Sequence, residues 1–422
     1  MNRLCGVILL VLVISLNTGC QSRSDQESSL TSIHILDRNG FSETISADER
    51  LLQMEMNDFC QAQPYQKVTR TFHKTPSGKV PSIVTTYHPN GSLWQILEAL
   101  DGRAFGKYRE FFASGQMRLE AHVIEGEGDI HAHSQEDWVF NGASKAWNSD
   151  GILIAEINYQ KGLLEGPSKY YHSNEQLAKI VPYRRGQIHG VISFYDKLGN
   201  LYGTETYKNG QQDGVTQFEE TAESPSYRET YEMGKLMQAV YFDKSGLPIG
   251  EIRDGIGEKL AFLADQKLEK TEYHHGYPEG KVRMYNQKNR LESEYTVSNG
   301  MKHGEEWFYY PNSSKNPKMM ITWYNDKIHG PVKTWYENGA IESEKEMSNN
   351  LRHGHSFAWY LDGSLMLIEN YEKNKLVKGS YLQKQNKDPI STVKAGNGIA
   401  TLHDSKGYFL KTIEYQKGRP IE

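Results

Sequence analysis

Residues 330–354 read GPVKTWYENGAIESEKEMSNNLRHG, and residues 190–214 read GVISFYDKLGNLYGTETYKNGQQDG. Each stretch opens on glycine, runs into aromatics, turns, runs again and reaches the next glycine. Asn338-Gly339 between a β-branched, aromatic run and a second run is a hairpin signal, because the central residues of such a turn must tolerate positive φ. Two strands and a turn are too little to be stable alone. Units of this kind must therefore stack on their sequence neighbours.

The phase extends outward from these two copies. Gly142, Gly166, Gly190 and Gly214 are 24 residues apart, Gly280 and Gly304 keep the interval, and Gly330 and Gly354 follow. Five residues beyond such a glycine stands an aromatic: Phe111, Trp147, Tyr171, Tyr195, Tyr285, Tyr309, Trp335 and Trp359. A second column is Tyr159, Tyr183, Tyr207 and Tyr231. A third is the turn itself, as in Asn90-Gly91, Asp150-Gly151, Asn338-Gly339 and Asp362-Gly363. Three columns on one period define a repeat protein. The expected fold is all-β: an elongated single twisted antiparallel sheet of stacked hairpins over 81–418, with polar loops such as 161–166 and 186–190 joining one hairpin to the next. Residues 217–262 break the phase, with Gln238 in a glycine slot and Glu219 and Asp243 in aromatic slots. Residues 33–80 are expected to cap the array. Ser46-Ala47-Asp48-Glu49 resembles a capping box, and Leu52, Met56 and Phe59 at helical spacing predict a helix over 47–59.

The Y-x-N-G-x-L/I … Y-x-x-G-x-x-x-G pattern resembles the MORN-variant repeats of bacteria, some of which are antitoxins of the YwqK type. That resemblance implies a sheet of stacked hairpins with a scaffolding or membrane-associated role. It brings no catalytic residues to carry over.

Composition narrows the function classes. The net charge of −5 lacks the basic excess of a generic nucleic-acid binder. Aromatics at 11% exclude disorder throughout.

The N-terminus carries an address. After Arg3, Leu4 to Leu16 form an apolar run of 13 residues, shorter than the roughly 20 a bilayer-spanning helix needs. The run ends in Leu16-Asn17-Thr18-Gly19-Cys20, which resembles the lipobox of bacterial lipoproteins, although Asn17 stands where leucine is usual. The resemblance implies a signal peptide over 1–19, acylation of Cys20 and a tether over 20–32. It also implies attachment to the cell envelope through the lipid. Gln21 after the cysteine then favours the outer membrane over the inner. With Cys20 acylated and Cys5 removed, the cysteine count predicts no disulfide at Cys60.

Candidate chemistry is sparse. His189, His303, His329 and His353 precede or adjoin the repeat glycines, but positions one hairpin apart are two strands, about 9–10 Å, apart. Ligands to one Zn²⁺ must sit about 2 Å from it, so this ladder cannot chelate a single ion. An insertion between Gly106 and Gly142 gathers His122, Glu125, Glu127, Asp129, His131, His133, Glu136 and Asp137. There His131-x-His133 on a strand would face one way and form a weak metal candidate. Gly126 and Gly128 argue instead for a solvated loop. No phosphate loop, serine elbow or Cys/His dyad stands out, so no cofactor and no enzymatic activity are expected. The lysines near the C-terminus, Lys373 to Lys394, read as a solvated face. The expected function is a membrane-anchored scaffold binding a protein or envelope component. Alternatives are neutralisation of a partner toxin and a glycan- or lipid-binding surface. The repeat-defining residues are Gly166, Gly190, Gly214, Gly280, Gly304, Gly330, Gly354, Tyr159, Tyr183, Tyr207, Tyr231, Trp335 and Trp359.

Overall fold

The computed structural model describes residues 29–54, 57–221, 225–263, 267–311 and 313–421. Cys20 and the apolar run before it lie outside them. The chain divides into two compact units, Met1–Leu201 and Tyr202–Glu422. Both units are antiparallel meanders in which each strand pairs with its chain neighbour, as the repeat predicts. Among the described residues one α-helix occurs, Asp48–Met54.

In the first unit Ser29–Asp37 lies between Ser42–Ile45 and Gln66–Lys74. From there the chain steps strand by strand through Pro81–Tyr87, Leu93–Leu100, Arg103–Phe111 and Met117–Glu125. Gly142–Trp147 pairs next, and the meander continues to Gly190–Tyr195. In the second unit the same stepping runs from Gly214–Phe218 to Phe409–Gln416.

The repeat contains two kinds of turn. Asn338-Gly339 sits in a longer turn closed by Tyr336 N–H to Ala340 O at 2.8 Å and Gly339 N–H to Tyr336 O at 2.9 Å. A register shift follows at Thr334/Trp335. This is the geometry of a turn ending in a left-handed glycine with a bulge. The segments expected as polar loops are the tighter turns. Arg185 and Gly186 both have positive φ, 50° and 79°, and so do Asn349 and Asn350 at 48° and 67°. These are two-residue turns whose twist matches the flanking strands.

Turns of each kind are stitched to the next repeat. Gly186 N–H donates to Leu164 O at 2.8 Å, and Asn350 N–H to Ile328 O at 2.9 Å. At the longer turns Tyr310 Oη donates to Trp335 O at 2.6 Å and Tyr336 Oη to Trp359 O at 2.7 Å. His172 Nε2 lies 2.8 Å from Tyr195 O. The 24-residue period therefore has a direct cause: each turn needs the next to satisfy its polar groups.

Among the described residues buried apolar clusters occur in four places. Ile33, Ile45, Leu51 and Phe59 form one, and Val68, Val84, Leu97, Ala104, Tyr108, Val123 and Trp138 a second. Tyr231, Leu236, Tyr241, Ile252 and Leu260 form the third, and Tyr371, Leu376, Tyr381, Val393 and Ala400 the fourth. At the third, Gly255 N–H donates to Met237 O, Gly276 N–H to Gly255 O and Leu236 N–H to Gly276 O, all at 2.9–3.0 Å. The meander curls until three successive two-residue turns close on one another. Gly396, Gly418 and Leu376 repeat this closure at the fourth. The stretch 217–262 is thus largely a closed segment rather than a decayed repeat.

Several expectations are corrected. Ser29–Ser32, read as tether, pairs with Phe72–Lys74, because Leu30 and Ile33 open an alternating strand whose Ile33 is fully buried. The helix is described over Asp48–Met54, buries Leu51 and leaves Leu52 exposed, while Met56 lies outside the described residues. Phe59 reaches the core from beyond it. Cys60 is disulfide-bonded, against the expectation of no disulfide.

Candidate functional site

The insertion is pinned to the sheet by Trp138 and Asp129, while His131, His133 and Glu136 stay exposed. Trp138 is buried, stacks edge-on with Tyr108 at 4.7 Å and donates from Nε1 to Glu127 O at 2.9 Å. Asp129 takes Arg70 Nε at 3.0 Å and Nη2 at 2.8 Å, a bidentate clamp. His131 and His133 do not converge. His131 Nε2 lies 2.6 Å from Glu127 Oε2, and His133 Nδ1 lies 3.1 Å from Glu136 Oε1, each histidine answered by its own acid. The expected strand geometry fails because Ser134–Asp137 is a 3-10 turn. His303, His329 and His353 are exposed along the edge of two-residue turns, with His303 Nδ1 3.4 Å from Asn325 Oδ1. No group of three potential ligands occurs among the described residues.

The repeat glycines all occupy positive φ, from 79° at Gly166 to 120° at Gly214. Gly280, at φ 112°, shows why: a Cβ there would meet Glu272 Cβ at 3.1 Å. The residue eight positions back secures the backbone just beyond the glycine. Glu272 Oε2 accepts Lys281 N–H at 2.8 Å, and Glu98 accepts Lys107 N–H at 2.9 Å. Where proline follows the glycine and has no N–H, a donor replaces the carboxylate. Asn158 Nδ2 then donates to Pro167 O at 2.6 Å, and Thr322 Oγ1 to Pro331 O at 2.8 Å.

Of the tyrosine column, Tyr159, Tyr183 and Tyr207 are half-buried, and Tyr207 lies 3.2 Å from Glu205. Tyr231 alone is buried. Trp335 stacks on Trp307 at 5.6 Å and Trp359 on Phe357 at 5.9 Å. His355 lies against Phe357 at 5.9 Å. The second unit thus presents two stacks of near-parallel rings, Trp307 with Trp335 and His355 with Phe357 and Trp359, half-buried except for the exposed His355.

Three buried carboxylates, Glu229, Glu306 and Glu369, were not singled out in the sequence, and two of them clasp pairs of tyrosines. Glu229 accepts Tyr231 Oη at 2.8 Å and Tyr241 Oη at 2.6 Å, with Lys259 Nζ at 3.2 Å. Glu369 accepts Tyr371 Oη at 3.1 Å and Tyr381 Oη at 2.8 Å, and Arg352 Nη1 donates to Tyr371 Oη at 3.2 Å. Burial first, then the adjacent carboxylate charge, pushes all four tyrosine hydroxyls above their ordinary range. The shared E-x-Y-x₉-Y spacing is the signal that could have found them. These are interior clasps, closed to substrate, and supply no nucleophile–base pair.

Hairpins stitched one to the next on a fixed period define a repeat protein. Residues 164–185, 188–209 and 328–349 match the MORN repeat variant. These matches support a MORN-repeat protein, and repeats of this kind commonly mediate binding or scaffolding rather than catalysis. No curated protein matches the chain.

Proposed function

We propose that this protein is a non-enzymatic scaffold, held in a bacterial envelope by acyl chains on Cys20, whose sheet face binds a protein or envelope component. The observation that carries the binding role is the two half-buried stacked pairs, Trp307 with Trp335 and Phe357 with Trp359, together with charged pairs such as Lys333–Glu344 at 3.2 Å. Half-exposed aromatics flanked by polar groups are what recognition surfaces use as anchors. The lipid role rests on the lipobox-like Leu16 to Cys20. Among the described residues no helix is long and apolar enough to cross a membrane, so acyl chains would supply the attachment.

The test is metabolic labelling with a palmitate analogue, together with membrane fractionation, for wild type and Cys20→Ser. Labelled, membrane-bound wild type against an unlabelled, released variant supports the anchor, and equal labelling of both removes it. The disulfide at Cys60 sharpens this, because one Cys20 sulfur cannot hold both a thioether and a disulfide. A peptide map without reduction shows which bond it makes. Capture from solubilised envelope, with a Trp307→Ala/Trp335→Ala variant alongside, tests the face. A saturable partner lost in the variant supports it; capture unchanged by the variant contradicts it.

A further inference from the structure

The two closed segments of the second unit share one backbone and differ in what they display around it. In the first, the turns Met233-Gly234, Asp254-Gly255 and His275-Gly276 meet; in the second, Lys373-Asn374, Ala395-Gly396 and Lys417-Gly418 meet. Corresponding hydrogen bonds fix the equivalence: Gly396 N–H to Val377 O at 2.9 Å, Gly418 N–H to Gly396 O at 2.8 Å and Leu376 N–H to Gly418 O at 3.0 Å. The side chains at matching positions are Met233, Lys235 and His275 in the first, and Lys373, Lys375 and Lys417 in the second.

In the first segment Lys235 Nζ rests over the Tyr277 ring at 5.5 Å, so its single lysine is engaged. In the second, the residue matching Tyr277 is Arg419. Lys373, Lys375 and Lys417, with His353, surround a cavity of about 680 Å³ whose lining includes one carboxylate, Glu372. None of the three lysines forms an ion pair among the described residues. Gathering three ammonium groups at one cup is opposed by their mutual repulsion, and the same backbone in the first segment avoids it. The turn amides already bond one another, so the cup's free donors are the ammonium groups.

We propose that this cup binds a multivalent, phosphate-bearing anion through Lys373, Lys375 and Lys417. A phosphate carries about −1.5 to −2 charge and three acceptor oxygens, which suits several lysines acting as point charges around one carboxylate. The proposal stands or falls independently of the scaffold and of the lipid anchor.

The experiment is calorimetric titration of the full chain carrying Cys20→Ser, so that acyl chains cannot insert, with inorganic tripolyphosphate at low ionic strength. Saturable binding that weakens as salt rises is expected. Lys375→Gln with Lys417→Gln should weaken it at least tenfold while leaving the thermal transition in place, and Lys235→Gln should leave it unchanged. Sedimentation with phosphatidylcholine vesicles, with and without phosphatidylglycerol, distinguishes the source. Binding to the anionic vesicles that the double variant loses assigns a lipid headgroup; tripolyphosphate binding without vesicle binding assigns a soluble phosphate. No binding to either probe, or binding equal in the double variant, overturns the proposal.

Discussion

The closed segments and the open ladder of the second unit, 227–276 and 367–418 against 280–359, are built from the same hairpins and end differently. In the ladder the slot five residues before the aromatic holds a glycine at positive φ, as at Gly280, Gly304, Gly330 and Gly354. In the closed segments that slot holds Gln238 or Lys378, within strands Lys235–Phe242 and Lys375–Leu382. The closed segments place Leu236, Tyr241 and Ile252, or Leu376, Tyr381 and Val393, at no more than 1% exposure. The ladder buries single residues such as Val282, Met320 and Val332, and its tryptophans stay half-exposed. Closure makes a core, and openness leaves a surface.

The largest effect is expected where a closed core is emptied. Tyr241→Ala should cost about 3–5 kcal/mol, as large-to-small core changes do. Denaturant unfolding checks it, and a loss below about 1 kcal/mol would mean the ring is not the core it resembles.

The carboxylate clasps come next. Glu229→Gln and Glu369→Gln each weaken two tyrosine bonds, at about 1–3 kcal/mol. Glu229 should be the costlier, because Lys259 loses its counter-charge, whereas Ala400 occupies the corresponding place in the second segment. Equal losses would show that Lys259 contributes nothing.

Tyr183→Ala, in the first unit's ladder, should cost less than either core change. A half-buried ring forfeits about half of the roughly 1.5–3 kcal/mol that full burial of a large apolar side chain contributes. A loss matching Tyr241→Ala would erase the distinction between ladder and core.

The smallest effect is on alkaline stability. Burial, then the Glu229 and Glu269 charges, pushes Tyr273 up to about 12, and burial with Glu294 does the same for Tyr309. Both are protonated in the fold above the ordinary tyrosine range. Their contribution is fully present below about pH 10 and is lost as pH rises through about 12. Tyrosinate absorbance rising in step with exposed tyrosines from pH 10, with stability unchanged, would contradict it.

Much of this was legible in the residues. The glycine and aromatic columns specified the hairpins and the repeat, because positive φ and alternation are local demands. Which turn was the tight one was not, since Asn338-Gly339 and Asn349-Asn350 both tolerate left-handed backbone. Closure was hidden because it is fixed by bonds between turns 20 to 40 residues apart, such as Leu236 to Gly276. In the insertion the charge count drew attention from Trp138 and Asp129, the residues that pin it to the sheet. The carboxylate clasps looked like repeat-phase noise until Tyr241 and Tyr381 were seen to reach back to Glu229 and Glu369.

Native-state hydrogen exchange, followed residue by residue, tests the division between core and surface most directly. Amides of Leu236–Tyr241 and Leu376–Tyr381 are expected to exchange slowest, through openings near the global unfolding free energy, and those of 304–310 and 351–359 through cheaper local openings. Uniform protection along the second unit, or a ladder slower than the closed segments, would contradict it.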